Sequence, residues 1–226
     1  MTVERGMPDG GPDRTAEDPT RRGGRLHRST RRHRWRRWVL RGVGLVVVGL
    51  LALGAVLAWL TVNPRVDSAD HVDALLVLST QAGAQEEAHR LAQQGVTDLL
   101  IVSVPVGAYD WLCSNAPQGT EAVCFSPDPA TTQGEAMGGT AIAREHGAGS
   151  LGALTFDHHV ERSRLLVERC WDGPVHMYEF QPVRGKRGYL YDFVYAMAAY
   201  GKVFLTPGCD TPPPQWLQSP IERVKR

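Results

Sequence analysis

Hydrophobic and polar positions divide this chain into three regimes. The first 41 residues are mostly polar and rich in Gly, Pro, Arg and Asp. Residues 42–62 form one uninterrupted apolar run, and from residue 66 short apolar runs alternate with amphipathic stretches. At 1.5 Å per residue, about 21 apolar residues match the roughly 30 Å hydrocarbon core of a bilayer. Residues 37–62 are therefore predicted to form one transmembrane helix. The tail 1–36 has too few large apolar side chains to offset its chain entropy and is predicted to be disordered.

Beyond the run, residues 72–78 and 99–104 read as strands buried on both faces. Residues 86–94 carry Ala88, Leu91 and Ala92 on one side, a helix ending at Gly95. Residues 105–130 read as a long loop. Thr132 and Glu135 have capping-box spacing and open a helix to about residue 146. Residues 151–155 are a third strand. Asp157 is placed to cap a helix whose apolar face is Val160, Leu165, Val167 and Cys170. Residues 175–180 alternate as a strand, and 189–204 read as an aromatic-rich helix. Such alternation predicts a three-layer, Rossmann-like α/β domain over residues 66–210, with a mainly parallel sheet and a tail at 211–226. In these sheets ligands bind beyond the carboxyl ends of the strands, which points to the turns 79–85, 105–132 and 155–162.

Charge orients the chain. Residues 1–41 hold 12 arginines against 5 acids, whereas the remainder holds 13 basic and 19 acidic residues. Arg-rich flanks stay cytoplasmic, so the N-terminus is expected inside and the main domain outside, with the basic tail against anionic membrane lipids. Tethering at the membrane argues against nucleic acid as a partner. The stretch Arg36–Arg37 through Arg41 also fits a twin-arginine export signal. The long preamble, the length of the apolar core and the lack of an A-x-A site favour a retained anchor.

All four cysteines follow the apolar run. An even number outside the membrane reads as a disulfide framework, with Cys113–Cys124 closing a loop and Cys170–Cys209 pinning the C-terminal tail. No ligand spacing supports zinc, and no metal is expected.

Two stretches could carry chemistry. In the turn 155–162, His159 and Arg162 are three apart at a helix start and could together hold a phosphate or carboxylate. A solvated helix start capped by Asp157 explains the same residues, and His158 either faces solvent or adds a second imidazole. Thr131, Thr132 and Glu135 could supply hydroxyls and a general base, or Thr132 and Glu135 could simply cap their own helix. Motifs for dinucleotides, P-loop phosphates and the hydrolase nucleophile elbow are all missing, so no cofactor is expected.

Asp73 to Leu78, then Ala88, Leu91 and Gly95, then Thr132-Gln133-Gly134-Glu135-Ala136, then Thr155, His159 and Arg162 together resemble the YdcF/SanA/ElyC-like family of bacterial envelope proteins. The resemblance covers roughly residues 70–205, and the Arg, Gly and Ala bias suits an actinobacterial-type member. It implies a Rossmann-like domain, often membrane-anchored, with Glu135, His159 and Arg162 lining a site. Phe156 stands where that family has Ser, and Ser79-Thr80-Gln81 and Val104-Pro105-Val106 stand where it has glycine pairs. Ala84 stands near the place of an arginine.

The resulting expectation is an envelope protein that binds, and in one version processes, an anionic phosphate-bearing cell-wall or lipid-carrier metabolite. Thr132, His159 and Arg162 would bind it, with Glu135 and His159 in catalytic roles. A non-catalytic scaffold that contacts cell-wall enzymes is the alternative. A nucleotide or S-adenosylmethionine binder draws only on fold analogy.

Overall fold

The computed structural model describes residues 27–78, 83–182 and 186–212. The expected tail before residue 27, most of the turn 79–85 and most of the tail 211–226 lie outside the described residues. The chain divides between Ala52 and Leu53 into two compact units.

The first element is helix α1, His27–Val62. Its stretch Arg34–Val62 is long and apolar enough to cross a membrane. Leu45, Val48 and Leu51 on it are all more than 60% exposed, as side chains meant for lipid would be. The helix starts ten residues before the predicted residue 37. Neither Pro nor Gly lies between Leu26 and Arg41, and arginine is a good helix former, so the helix of the apolar run propagates backward into the basic segment.

The second unit carries a five-stranded, all-parallel sheet. Its elements are β1 (Ala74–Val77), α2 (Ala84–Gln93), β2 (Leu99–Ser103), β3 (Glu121–Phe125), α3 (Thr132–Glu145), β4 (Leu151–Phe156), α4 (Val160–Glu168), β5 (Val175–Phe180) and α5 (Lys186–Leu205). The spatial order is β3-β2-β1-β4-β5, with Leu76 paired to Ile101 on one side and Ala153 on the other. Strand order therefore reverses between β1 and β4, the place where such sheets leave a crevice.

Period-two alternation sorts the strand side chains between two cores. Leu76, Leu78, Ile101, Ala153 and Met177 pack with residues of α3, α4 and α5. Leu75, Val77, Val102 and Tyr178 pack with α2 on the opposite face. Helix α3 lies close on the sheet, because a Cβ at Gly139 would stand 2.4 Å from the Leu76 side chain.

One strand departs from the sequence reading. The expected loop 105–130 contains β3, paired to β2 from Leu99–Glu121 to Ser103–Phe125. As an edge strand it is half-exposed, so it lacks the continuous apolar run of a buried strand. Both predicted disulfides are present, Cys113–Cys124 and Cys170–Cys209, with Cα separations of 5.9 and 4.9 Å. The first ties a 3₁₀ turn at Trp111–Cys113 to β3, and the second ties the segment after α5 to the end of α4.

The segment that leaves α1 is clamped at once. The Arg65 backbone N–H and its guanidinium donate to the Glu161 carboxylate at 2.7, 3.0 and 2.8 Å. Two residues on, Asp67 accepts from Arg164 and from the Met177 backbone.

Candidate functional site

The site begins at the N-terminus of α3. Thr131, in extended conformation, is the cap, and its hydroxyl accepts from the Gly134 N–H at 3.3 Å. The cap therefore falls one residue before the predicted Thr132, and with Gly134 rather than Glu135 at the third helical position the predicted capping box does not form. A Cβ at Gly134 would fall 1.9 Å from the Pro129 carbonyl oxygen, so only glycine permits this tight approach. The displacement leaves the Thr132 hydroxyl and the Glu135 carboxylate for other partners.

Those partners come from β4, α4 and β2. Thr132 Oγ1 lies 3.2 Å from His159 Nε2 and accepts from the Arg162 guanidinium at 3.4 Å. His159 Nδ1 lies 2.7 Å from Thr155 Oγ1 and 3.1 Å from Ser163 Oγ. A proton on Nδ1 satisfies this set: Nδ1–H is shared by the two hydroxyls, and Nε2 accepts from Thr132. Glu135 accepts from the Ser103 hydroxyl at 2.8 Å. Phe156, where the resembled family has Ser, stacks on the His159 ring with centroids 5.0 Å apart.

Asp157 does not cap α4, contrary to the sequence expectation. A 3₁₀ turn, Asp157–His159, intervenes before α4, and the Asp157 carboxylate accepts from the His158 N–H. His158 neither faces solvent nor joins the Thr132 group. It is buried, 2.9 Å from Asp157 and edge-on to Tyr189.

A cavity of about 350 Å³ opens on this group. Its wall includes Thr131, Thr132 and Gln133 at the start of α3, Arg162 and Leu166 of α4, and Tyr195 and Lys202 of α5. Arg162 is 9% exposed, and its Nε finds no hydrogen-bond partner among the described residues. A guanidinium has five N–H donors and stays charged, so this one retains donor capacity in a place short of water. The N-terminal dipole of α3 and the Lys202 ammonium add positive potential at the same wall.

Burial sets the electrostatics. Enclosure pushes the Glu135 carboxyl up to about 7, against the opposing effects of the Ser103 hydrogen bond and the Arg162 charge. Burial, and then the Arg162 charge, hold His159 well below the ordinary histidine value, so its imidazole is neutral near pH 7. Burial also lowers Arg162, opposed by Tyr195, Tyr200 and Glu135.

The structure thus brings Thr132, His159 and Arg162 into one bonded group, with Glu135 close enough to feel the Arg162 charge. Only Thr132 and Arg162 of these four line the cavity. Ser103, Ser163 and Lys202 escaped the sequence reading, and Tyr195 entered it only as a packing residue of the aromatic-rich helix 189–204. Ser103 alone carried a signal, a hydroxyl ending a buried apolar strand, 1% exposed. Among the described residues, no group of three or more His, Cys, Asp or Glu side chains could hold a metal ion. Comparison with family models, curated proteins and solved structures finds no match for this chain.

Proposed function

We propose that this chain is a single-pass envelope protein of the YdcF/SanA/ElyC-like kind, its N-terminus cytoplasmic and its α/β domain outside. In this reading the domain binds the phosphate of an anionic cell-wall or lipid-carrier metabolite. The observation that carries it is Arg162, a buried guanidinium whose Nε–H has no partner among the described residues, on the wall of a cavity that also includes the N-terminus of α3. Unpaired buried charge is costly, and an anion is what would compensate it. Two disulfides support an oxidising location, and the Arg-rich flank of α1 supports the orientation.

Arg162 would clasp the anion by parallel N–H bonds, with the Thr132 hydroxyl and the first N–H groups of α3 beside it. Neutral His159, held by Thr155 and Ser163, positions Thr132 from behind. Glu135 lies behind the cavity wall, and its proton equilibrium near neutrality sets the charge that Arg162 feels from its protein side. The test is mass spectrometry of small molecules released when the purified full chain is denatured. Phosphorylated species should accompany the wild type and be lost from Arg162→Ala. Identical profiles from the two proteins would remove the basis of the reading.

A further inference from the structure

Helix α5 presents a surface that the anion site does not use. Every exposed residue described on it is uncharged. Leu190, Val194, Ala198 and Leu205 run down its outer side at helical spacing, three of them 45–63% exposed leucine or valine. Tyr191 and Tyr195 stack beside that stripe with centroids 6.3 Å apart. A monomer in water rarely displays so continuous an apolar face, so this one calls for an occupant.

The neighbouring contacts say which. The Thr61 hydroxyl, in the last turn of α1, donates to the Leu57 carbonyl at 2.7 Å and lies 3.8 Å from Met197 Sδ of α5, and Thr61 is 1% exposed. Arg65, whose backbone is bonded to Glu161, comes three residues after the end of the apolar run at Val62. Three residues span at most about 10 Å. The middle of α5 therefore sits against the end of the membrane span and cannot rise far from it. Apolar stripes flanked by tyrosine are what the bilayer interface favours, with the ring in lipid and the hydroxyl in water.

We infer that α5 is an interfacial helix that lies on the outer leaflet and beds its Leu190–Val194–Leu205 side among lipid headgroups and upper acyl chains. Tyr195 belongs both to this face and to the wall of the Arg162 cavity. The cavity then opens at headgroup depth, and the anion it takes is one carried by a lipid. The inference rests on the membrane-spanning role of α1 in the proposed function and not on the chemistry of the anion site.

The experiment uses the full chain in nanodiscs of phosphatidylcholine and phosphatidylglycerol, with a trace of phospholipid carrying a diazirine at the top of its acyl chain. After illumination, adducts are mapped by peptide mass spectrometry. Adducts are expected on α1 and on α5 at Leu190, Val194 and Leu205. None is expected at Tyr109, which is 74% exposed but lies in the loop that packs on the opposite face of the sheet. Replacing Leu190→Glu and Val194→Glu together should cut α5 adducts roughly tenfold while leaving α1 labelled. Both positions are exposed, so folding should persist, and the wild-type pattern is decisive without the variant. Labelled α1 with unlabelled α5 would overturn the inference alone. A second protein chain seated on α5 would give that same result, because it would shield the helix from the lipid probe. Absence of adducts from both helices would defeat the anchoring itself. Inorganic phosphate titrated into the detergent-solubilised chain reads the Arg162 site separately, and the double variant should bind it as the wild type does.

Discussion

Glu161 and Arg162 are neighbours in one helix, both nearly buried, and they have opposite fates. Glu161 is saturated: Arg65 closes on it with three hydrogen bonds from its backbone and guanidinium. Burial alone would raise its pKa, but these bonds override burial and hold it below the ordinary glutamate value. Arg162 has one long bond to Thr132 and an Nε with no partner among the described residues. A charge that exists to hold the fold is completed by the fold. A charge left incomplete at a cavity wall is completed by something that arrives. The contrast marks Glu161 as structural and supports the proposal that Arg162 binds an anion.

A second carboxylate, Glu135, differs from Glu161 most strongly in its response to pH. Glu135 has its pKa raised from 4.5 to about 7, so its favourable contribution is complete below pH 4.5 and lost as pH rises through 7. Glu161 is depressed, so its contribution is present above its unfolded pKa and lost as pH falls. The rise at Glu135 corresponds to about 3 kcal/mol between the two limits, as an upper order of magnitude. Glu135→Gln, which mimics the protonated form, should therefore be more stable than wild type at pH 8 and equal to it at pH 4. Melting curves at the two pH values check this, and a variant less stable at pH 8 would show that the ionised carboxylate is structurally needed.

A smaller effect is expected at the clamp. Arg65 is 68% exposed, so solvent screening discounts its bonds to Glu161. Glu161→Ala should cost about 2 kcal/mol near neutral pH, seen as a lower denaturant midpoint. The penalty should shrink as pH falls below the ordinary glutamate range, where wild-type Glu161 itself loses its charge. The smallest effect concerns the cap. Thr131→Ala should cost about 1 kcal/mol, whereas Thr132→Val should change stability less and phosphate affinity more. Equal losses of stability at the two threonines would contradict the placement of the cap at Thr131.

Much of this was legible in the chain. Strands β1, β2 and β4 announce themselves as apolar runs because helices cover both faces of the sheet, and β5 announces itself by alternation. The edge strand β3 stays hidden, since Glu121 and Cys124 face outward and its pairing to β2 depends on contacts distant in sequence. The spacing of His159 and Arg162 placed them together, and a helix start nearby suggested an anion. Which of two adjacent threonines caps α3 could not be read, because only the extended backbone of Thr131 decides it. Tyr195 and Lys202 reach the site through tertiary packing, which leaves no local pattern. Asp157 has the composition of a cap, but the 3₁₀ turn through His159 moves the start of α4 beyond its reach.

The proposed division, in which Arg162 binds and Glu161 holds the fold, is separated most directly by pairing affinity with stability. Phosphate affinity by calorimetry and the melting temperature are determined for the full chain, Glu161→Ala and Arg162→Ala under the same conditions. A charge-assisted contact to an anion is typically worth about 1.5–3 kcal/mol, so Arg162→Ala should weaken phosphate binding roughly ten- to hundredfold. Its melting temperature should hold or rise, because an incompletely paired buried charge has been removed. Glu161→Ala should show the reverse, a lower melting temperature with phosphate affinity kept. If Arg162→Ala unfolds early while phosphate binds as before, the guanidinium is a strut of the fold and the account is wrong.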